Sequence, residues 1–214
     1  LEQPEILREQ LAGVLMASRY GNPRLMFPLI SRIEEVRRIR EILEEARSEV
    51  ENSGHEVSRE IGFGIMIEVP AAVQMAEFLI REVDFFSIGT NELIQYTLAA
   101  DRNNMKVQHY YDPYQPAVLH SIKHVADICT RAGKSVSVCG EMAADPVNTV
   151  LLLGLGITEF SLSAPYIPVV KQSVRRISRK AAENLAARIL DMESSAEIRD
   201  EIGRFRSKHP FLVT

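Results

Sequence analysis

The sequence has few cysteines, no excess of basic charge and no long apolar run. Its 214 residues contain two cysteines, Cys129 and Cys139, too few for a disulfide framework and typical of a reducing cytoplasm. A net charge of −4 provides no basic surface for nucleic acid. No apolar run approaches the roughly 20 residues of a membrane span, and the charged beginning of the chain is unlike a signal peptide. We therefore expect a cytoplasmic protein that binds neither nucleic acid nor membrane.

Hydrophobic residues make up 46% of the chain, enough for a sizeable core, and they fall into two patterns. Short apolar runs predict five strands, at residues 24–30, 61–67, 83–89, 135–139 and 157–162. Helical periodicity or start and stop signals predict helices at residues 6–18, 31–52, 71–81, 116–132, 145–156, 168–177 and 178–192, with a short one from 195. Alternation of strands with helices predicts a parallel α/β fold.

Two architectures accept this order of elements. A closed (β/α)₈ barrel needs eight strands and about 250 residues, so five strands would be only part of one. A doubly wound open sheet is complete with five strands. The residues alone leave both open.

Two of the predicted strands end in a carboxylate. Glu68 follows the run of residues 61–67, and Glu92 follows the run of residues 83–89, beside Asn91. The carboxyl ends of neighbouring parallel strands meet at one edge of the sheet, so these side chains are expected to converge. Two carboxylates with water and substrate oxygens suit Mg²⁺. The alternative is that both glutamates are acids placed at helix N-termini by the macrodipole.

Three long motifs, in order, resemble one family. The motifs are IMIEVPAA (65–72), DFFSIGTNELIQYTLAADR (84–102) and VCGEMAADP (138–146). They are similar to the phosphoenolpyruvate-binding domains of the Enzyme I family, the phosphoenolpyruvate-protein phosphotransferases of bacterial sugar transport. The resemblance extends from the beginning of the chain to about residue 176. Pyruvate phosphate dikinase and phosphoenolpyruvate synthase share related motifs and are the alternative families.

The resemblance implies a fold, a cofactor and roles for five residues. It implies a dimeric (β/α)₈ barrel in which Glu68 and Glu92 bind Mg²⁺, and Asn91 and Glu92 lie at the substrate with Arg102 on its phosphate. It also implies that Cys139 is the acid that protonates the enolate carbon. The family usually has Asp where this chain has Glu92, which is one methylene longer.

The resemblance also implies parts that this chain does not supply. Family members contribute two further arginines from earlier barrel strands. The phosphorylated histidine lies on a separate N-terminal domain, and the domain that binds a histidine-containing phosphocarrier protein is also outside this chain. We therefore expect residues 1–214 to be one partial barrel domain, without its first βα units, that is inactive alone. A non-catalytic module that acts in self-association is the remaining alternative.

Several candidate residues have a plain structural interpretation as well. Arg102 could form an ion pair with Asp101 or another acid, and Cys139 could be a small buried hydrophobe, as Cys129 is expected to be. A thiol is mostly protonated at neutral pH, which suits Cys139 to the role of an acid. The three histidines of the middle region are not expected to carry phosphate, because none lies at a strand end: His109, His120 and His124.

Overall fold

Five parallel strands form one sheet, in which each strand lies beside the next one along the chain. The computed structural model describes residues 1–58 and 60–212. The strands in this part of the chain are β1 (Arg24–Phe27), β2 (Gly62–Ile67), β3 (Phe85–Gly89), β4 (Ser135–Cys139) and β5 (Glu159–Ser161). All four pairings are parallel, which confirms the predicted α/β class.

The described ranges contain ten α-helices. They are α1 (Pro4–Ala17), α2 (Ile33–Asn52), α3 (Pro70–Gln74), α4 (Ala76–Glu82), α5 (Thr90–Leu98), α6 (Pro116–Ala132), α7 (Pro146–Leu155), α8 (Ile167–Arg176), α9 (Arg179–Leu190) and α10 (Ser195–Lys208). Helix α1 packs on α2, α2 on α4, α4 on α6, and α6 on α7. These five helices therefore follow one another along a single layer, in the same order as the strands.

This arrangement decides between the two architectures that the sequence allowed. A doubly wound sheet reverses its strand order and carries helices on both faces, whereas this sheet keeps chain order and carries a single helical layer. The doubly wound alternative is therefore wrong, and the fold is an incomplete barrel of the (β/α)₈ type.

The curvature of the sheet supports the same conclusion. Four strand spacings of about 4.8 Å would separate β1 from β5 by roughly 19 Å in a flat sheet. Instead, the Arg24 guanidinium in β1 lies 3.3 Å from the Glu159 carboxylate in β5. The Arg24 guanidinium also donates to the Ser135 hydroxyl at 3.0 Å and lies over the ring of Phe85, so its side chain extends across the concave face.

The two faces of the sheet differ in composition. The side covered by helices is apolar, and Ile65, Phe86 and Val138 on it are fully buried. The concave side carries glycine, serine and charged residues in register with one another. Gly64 in β2 pairs with Phe85, and a Cβ at Gly64 would come within 2.4 Å of the ring, so a larger residue would displace it.

The predicted elements are confirmed, with differences at their ends. Helix α2 is capped by the Glu35 carboxylate, which accepts from the N–H groups of Ser31 and Arg32. The predicted helix 71–81 is two helices, α3 and α4, that meet at Met75. Strands β1 and β5 are both shorter than predicted. Strand β1 ends before Pro28, because a proline has no N–H to donate to the neighbouring strand.

No helix in the described part of the chain is both long and apolar enough to cross a membrane.

Candidate functional site

Glu68 lies directly after β2 and is almost fully buried, at 3% exposure. One of its oxygens accepts from the N–H of Leu29 at 2.7 Å. Leu29 has a φ of 55°, a left-handed conformation that is rare for a leucine and is found at functional sites more often than elsewhere. Burial raises the pKa of Glu68, and the nearby charge of Glu92 raises it further, against the effect of the Leu29 hydrogen bond.

Glu92 and Asn91 are in the first turn of α5, which begins directly after Gly89, the last residue of β3. The Glu92 carboxylate lies 3.5 Å from the Arg102 guanidinium, and both side chains are 35% exposed. The predicted ion pair of Arg102 is therefore present, but its partner is Glu92 and not Asp101. Arg102 thus lies at the carboxyl edge of the sheet, although it belongs to the loop after α5.

The carboxyl end of β4 is joined to the beginning of α5. The Thr90 hydroxyl donates to the carbonyl of Cys139 at 3.0 Å, and the Asn91 side-chain oxygen accepts from the N–H of Glu141 at 3.1 Å. Gly140 lies between them with a φ of 107°, and a Cβ there would be 2.4 Å from the Thr90 hydroxyl oxygen. A glycine is therefore required at this position for the two segments to approach.

Cys139 is the last residue of β4 and is half-buried. It lies opposite Gly89, and its sulfur is 3.6 Å from the Ser87 hydroxyl oxygen, so it is on the concave face. Burial raises the pKa of the Cys139 thiol, the Ser87 hydrogen bond opposes this, and the charges of Glu68 and Glu92 raise it further. The thiol is therefore protonated at neutral pH.

Cys129 differs from Cys139 in its position and in its degree of burial. It lies in α6, is fully buried within the core, and its pKa is raised by burial to about 12. The prediction that Cys129 is a small core residue is confirmed.

Tyr111 also belongs to the cluster, although no sequence motif predicts it. Its hydroxyl donates to the carbonyl of Asn91 at 3.3 Å. Burial raises the pKa of Tyr111, and the neighbouring charges that act on it are those of Glu141, Arg102 and Glu92. In the sequence, Tyr111 is one of several tyrosines in a polar loop. Its contact with Asn91 depends on how that loop folds back over α5, which the sequence does not indicate.

All five predicted site residues lie at this one edge of the sheet. Two of them lie at strand ends, Glu68 after β2 and Cys139 at the end of β4. Asn91 and Glu92 lie in the first turn of α5, and Arg102 is paired with Glu92. Glu68 is almost fully buried and the charge of Glu92 raises its pKa, and two neighbouring carboxylates have the composition of a hard-cation site. No group of three or more His, Cys, Asp or Glu side chains in residues 1–58 and 60–212 could hold a metal, so any ion here needs oxygens from substrate or water.

A cleft of about 830 Å³ opens beside the cluster, at the ends of β4 and β5. It includes Asn91, Gly140 and Glu141, and its far wall is formed by Ser161, Ser163 and Tyr166. Glu68, Glu92, Arg102 and Cys139 are not part of its wall. The histidines are elsewhere: His109, His120 and His124 are all exposed, away from the strand ends.

A parallel sheet in chain order, with polar side chains gathered at its carboxyl ends, defines a barrel-type α/β domain whose site lies at the mouth of the barrel. A model of the family described as "PEP-utilising enzyme, PEP-binding domain" matches residues 1–179. The chain therefore belongs to the family of phosphoenolpyruvate-binding domains of phosphoenolpyruvate-utilising enzymes.

Curated relatives carry the name phosphoenolpyruvate-protein phosphotransferase. The protein from Staphylococcus carnosus is 42% identical over 205 residues, which is 96% of this chain and 36% of the relative. The protein from Bacillus subtilis is 43% identical over 198 residues, which is 92% of this chain and 35% of the relative. The chain thus spans about a third of the length of these relatives. They favour the phosphotransferase family over the dikinase and synthase alternatives.

A solved structure supports the fold independently. The crystal structure of a citrate lyase from Burkholderia xenovorans has a TM-score of 0.61 at 13% sequence identity, and the match covers 95% of this chain and 69% of that one. At this identity the likeness concerns the fold alone.

Proposed function

We propose that this chain is the phosphoenolpyruvate-binding part of a phosphoenolpyruvate-protein phosphotransferase. The observation that carries the proposal is the meeting of Glu68, Glu92, Arg102 and Cys139 at one edge of the sheet, where Glu92 pairs with Arg102 and both glutamates act on the thiol. Membership of the phosphoenolpyruvate-binding family indicates the substrate, and the names of the relatives indicate the reaction.

The donor set fits Mg²⁺. Glu68 and Glu92 would hold the ion, and Glu68 is preorganised for this because the Leu29 N–H fixes one of its oxygens. A bound Mg²⁺ would neutralise the charge on phosphate and carboxylate oxygens and the charge that develops on the enolate.

The remaining residues bind and orient the substrate. Arg102 offers a planar pair of donors that suits a phosphate better than a lysine does. The Asn91 side-chain oxygen accepts from the Glu141 N–H, its carbonyl accepts from the Tyr111 hydroxyl, and the residue lines the cleft. Since phosphoryl transfer depends on alignment and charge neutralisation, fixing these groups is the main contribution of the protein.

The proposed reaction ends with a proton transfer to carbon. The bond between phosphorus and the bridging oxygen breaks, phosphorus bonds to a histidine nitrogen on a separate domain, and the electron pair stays on the enolate of pyruvate. Cys139 then gives its proton to the enolate carbon, and the thiolate regains a proton from water. The phosphorylated histidine passes its phosphoryl group to a histidine-containing phosphocarrier protein.

We further propose that residues 1–214 belong to a single barrel domain whose other strands pair with the free edges of β1 and β5, and which forms a homodimer. The curvature that brings Arg24 to Glu159 supports a closed barrel. Residues 59, 213 and 214 of this domain lie outside the described residues. Two further arginines are expected from the other strands, so the chain alone should bind more weakly than the complete protein and should not turn over.

Isothermal titration tests the proposal. Phosphoenolpyruvate and oxalate, which resembles the enolate, are titrated into the complete phosphotransferase with and without Mg²⁺. Both should require Mg²⁺, and Arg102→Lys should weaken phosphoenolpyruvate binding about tenfold or more while weakening oxalate less, because oxalate has no phosphate. Arg37→Lys, at an exposed pair with Glu82, is the control. Binding that is independent of Mg²⁺ and of Arg102 would refute the proposal.

A further inference from the structure

The loop of residues 99–115 carries Arg102 and Tyr111 but has few attachments of its own. Most of its side chains between residues 103 and 110 are exposed, and its internal hydrogen bonds are short turns such as the Asn103 N–H to Asp101. The contact of Tyr111 with Asn91 is a single hydrogen bond of 3.3 Å. The loop is attached to α5 at its beginning, where the Arg102 N–H donates to the Gln95 side chain at 3.4 Å, so its far end depends on contacts with other elements.

The strongest of these contacts is made by the last helix. Arg199 of α10 lies 2.7 Å from the carboxylate of Asp112, the residue after Tyr111. Asp112 is buried at 8% exposure, and the same oxygen accepts from the N–H of Tyr114 at 2.9 Å. A charge-assisted contact to a mostly buried carboxylate is stronger than an ion pair on an open surface.

The contact extends beyond Asp112. The Arg199 guanidinium lies over the ring of Tyr114, 5.1 Å from its centre. The Tyr114 hydroxyl donates to the Asn148 side chain at 2.8 Å, in the first turn of α7. One arginine of α10 therefore fixes the end of the loop both directly and through Tyr114.

A second arginine of α10 reaches the segment after β4. Arg206 is seven residues beyond Arg199, so both lie on the same face of the helix. Its guanidinium is 3.4 Å from Asp145, which caps α7 by accepting from the N–H groups of Val147 and Asn148. Helix α10 thus contacts both segments that lead to the site, the one with Arg102 and the one with Cys139.

We propose that Arg199 is a positioning residue, and that helix α10 latches the loop of residues 99–115 in the conformation that presents Tyr111 and Arg102 to the site. This proposal rests on the proposed function for its effect on ligand binding, but the latch itself does not. Helix α10 lies beyond residues 1–179, the part matched by the family model.

The first test measures loop order without any ligand. Arg199→Gln is compared with Arg204→Gln, a matched control on the same helix. Arg204 pairs with Glu201, and Glu201 keeps its second partner, Arg188, when Arg204 is replaced. Amide hydrogen exchange of residues 103–115 should become about tenfold faster in Arg199→Gln, because the mostly buried Asp112 carboxylate loses its cationic partner. Exchange should be unchanged in Arg204→Gln and intermediate in Arg199→Lys. Equal exchange in Arg199→Gln and Arg204→Gln overturns the proposal.

The second test measures phosphoenolpyruvate binding to the same variants of the complete protein, with Mg²⁺. The Kd should rise about three- to tenfold in Arg199→Gln, because the loop is ordered in a smaller fraction of molecules, and KM should rise with little change in kcat. Faster exchange with unchanged Kd and KM overturns the positioning role. If the wild-type protein binds no phosphoenolpyruvate, the proposed function fails, whereas a rise in exchange in Arg199→Gln would still support the latch.

Discussion

The Arg24 guanidinium and the Glu159 carboxylate lie 3.3 Å apart although they come from the two edge strands of the sheet, β1 and β5. An arginine can make this contact only where the sheet is curved, because four flat strand spacings are about 19 Å. Arg24 also touches Ser135 and Phe85, so it links β1 to three other strands across the concave face. The curvature brings the opposite, carboxyl ends of β2, β3 and β4 into one site.

Loss of this cross-sheet contact should reduce stability. Arg24→Met keeps an apolar stem against Phe85 but removes the hydrogen bond to Ser135 and the ion pair with Glu159. Since both ionic partners are more than 40% exposed, we expect a cost of only about 1 kcal/mol, a fall in Tm of about 2–4 °C. Thermal unfolding followed by circular dichroism measures it. Arg37→Met, which breaks a pair on the helical side, should cost less, and an equal fall in both variants would contradict the expectation.

Replacement of Glu68 should separate stability from metal dependence. Glu68→Gln is nearly isosteric, its amide oxygen can still accept from Leu29, and the repulsion between Glu68 and Glu92 is removed. We expect a Tm equal to or slightly above that of the wild type without Mg²⁺. The stabilisation by Mg²⁺ with oxalate, about 2.7 kcal/mol at a hundred times Kd, should be lost. Differential scanning fluorimetry measures both, and a full response to Mg²⁺ in Glu68→Gln would exclude Glu68 as a ligand.

A methyl group at Gly140 should damage the site. Gly140→Ala places a Cβ 2.4 Å from the Thr90 hydroxyl oxygen and 3.0 Å from the Asn91 side-chain oxygen, at a φ of 107°. The matched control is Gly133→Ala, which has a φ of 64° and no atom within 4 Å of the added Cβ. We expect about 1 kcal/mol of destabilisation in the control and about 3 kcal/mol in Gly140→Ala, in urea unfolding. Equal losses in the two variants would show that the close approach to Thr90 costs nothing.

The buried thiol of Cys129 should make stability depend on alkaline pH. Its pKa is raised by burial from an ordinary value of 9.0 to about 12, so between these values the folded chain binds more protons than the unfolded chain. Rising pH therefore favours unfolding in this range, by at most about 1.4 kcal/mol per pH unit. Cys129→Ala lacks this contribution, so its deficit in unfolding free energy at pH 7 should shrink between pH 9 and pH 10.5. A deficit that stays constant with pH would contradict the raised pKa.

Apart from helix α5, which was not predicted, the sequence determined which elements form and which residues are chemically suited to the site. The apolar runs of residues 61–67 and 83–89 predicted strands β2 and β3, and the position of Glu68 and Glu92 at their ends predicted that the two carboxylates would meet. These inferences depend on local periodicity and on the shared direction of parallel strands, both of which can be read along the chain.

Only the tertiary structure decided the order of the strands, the curvature of the sheet and the partners of the loop. Arg102 pairs with Glu92, Tyr111 with Asn91, and Asp112 with Arg199, and in each case the loop or the last helix must first fold back over the sheet. The sequence carries no local signal for such contacts, because an exposed arginine or tyrosine has the same pattern whether its partner is water or a residue far along the chain. The free energy that selects these partners comes from packing of the whole domain.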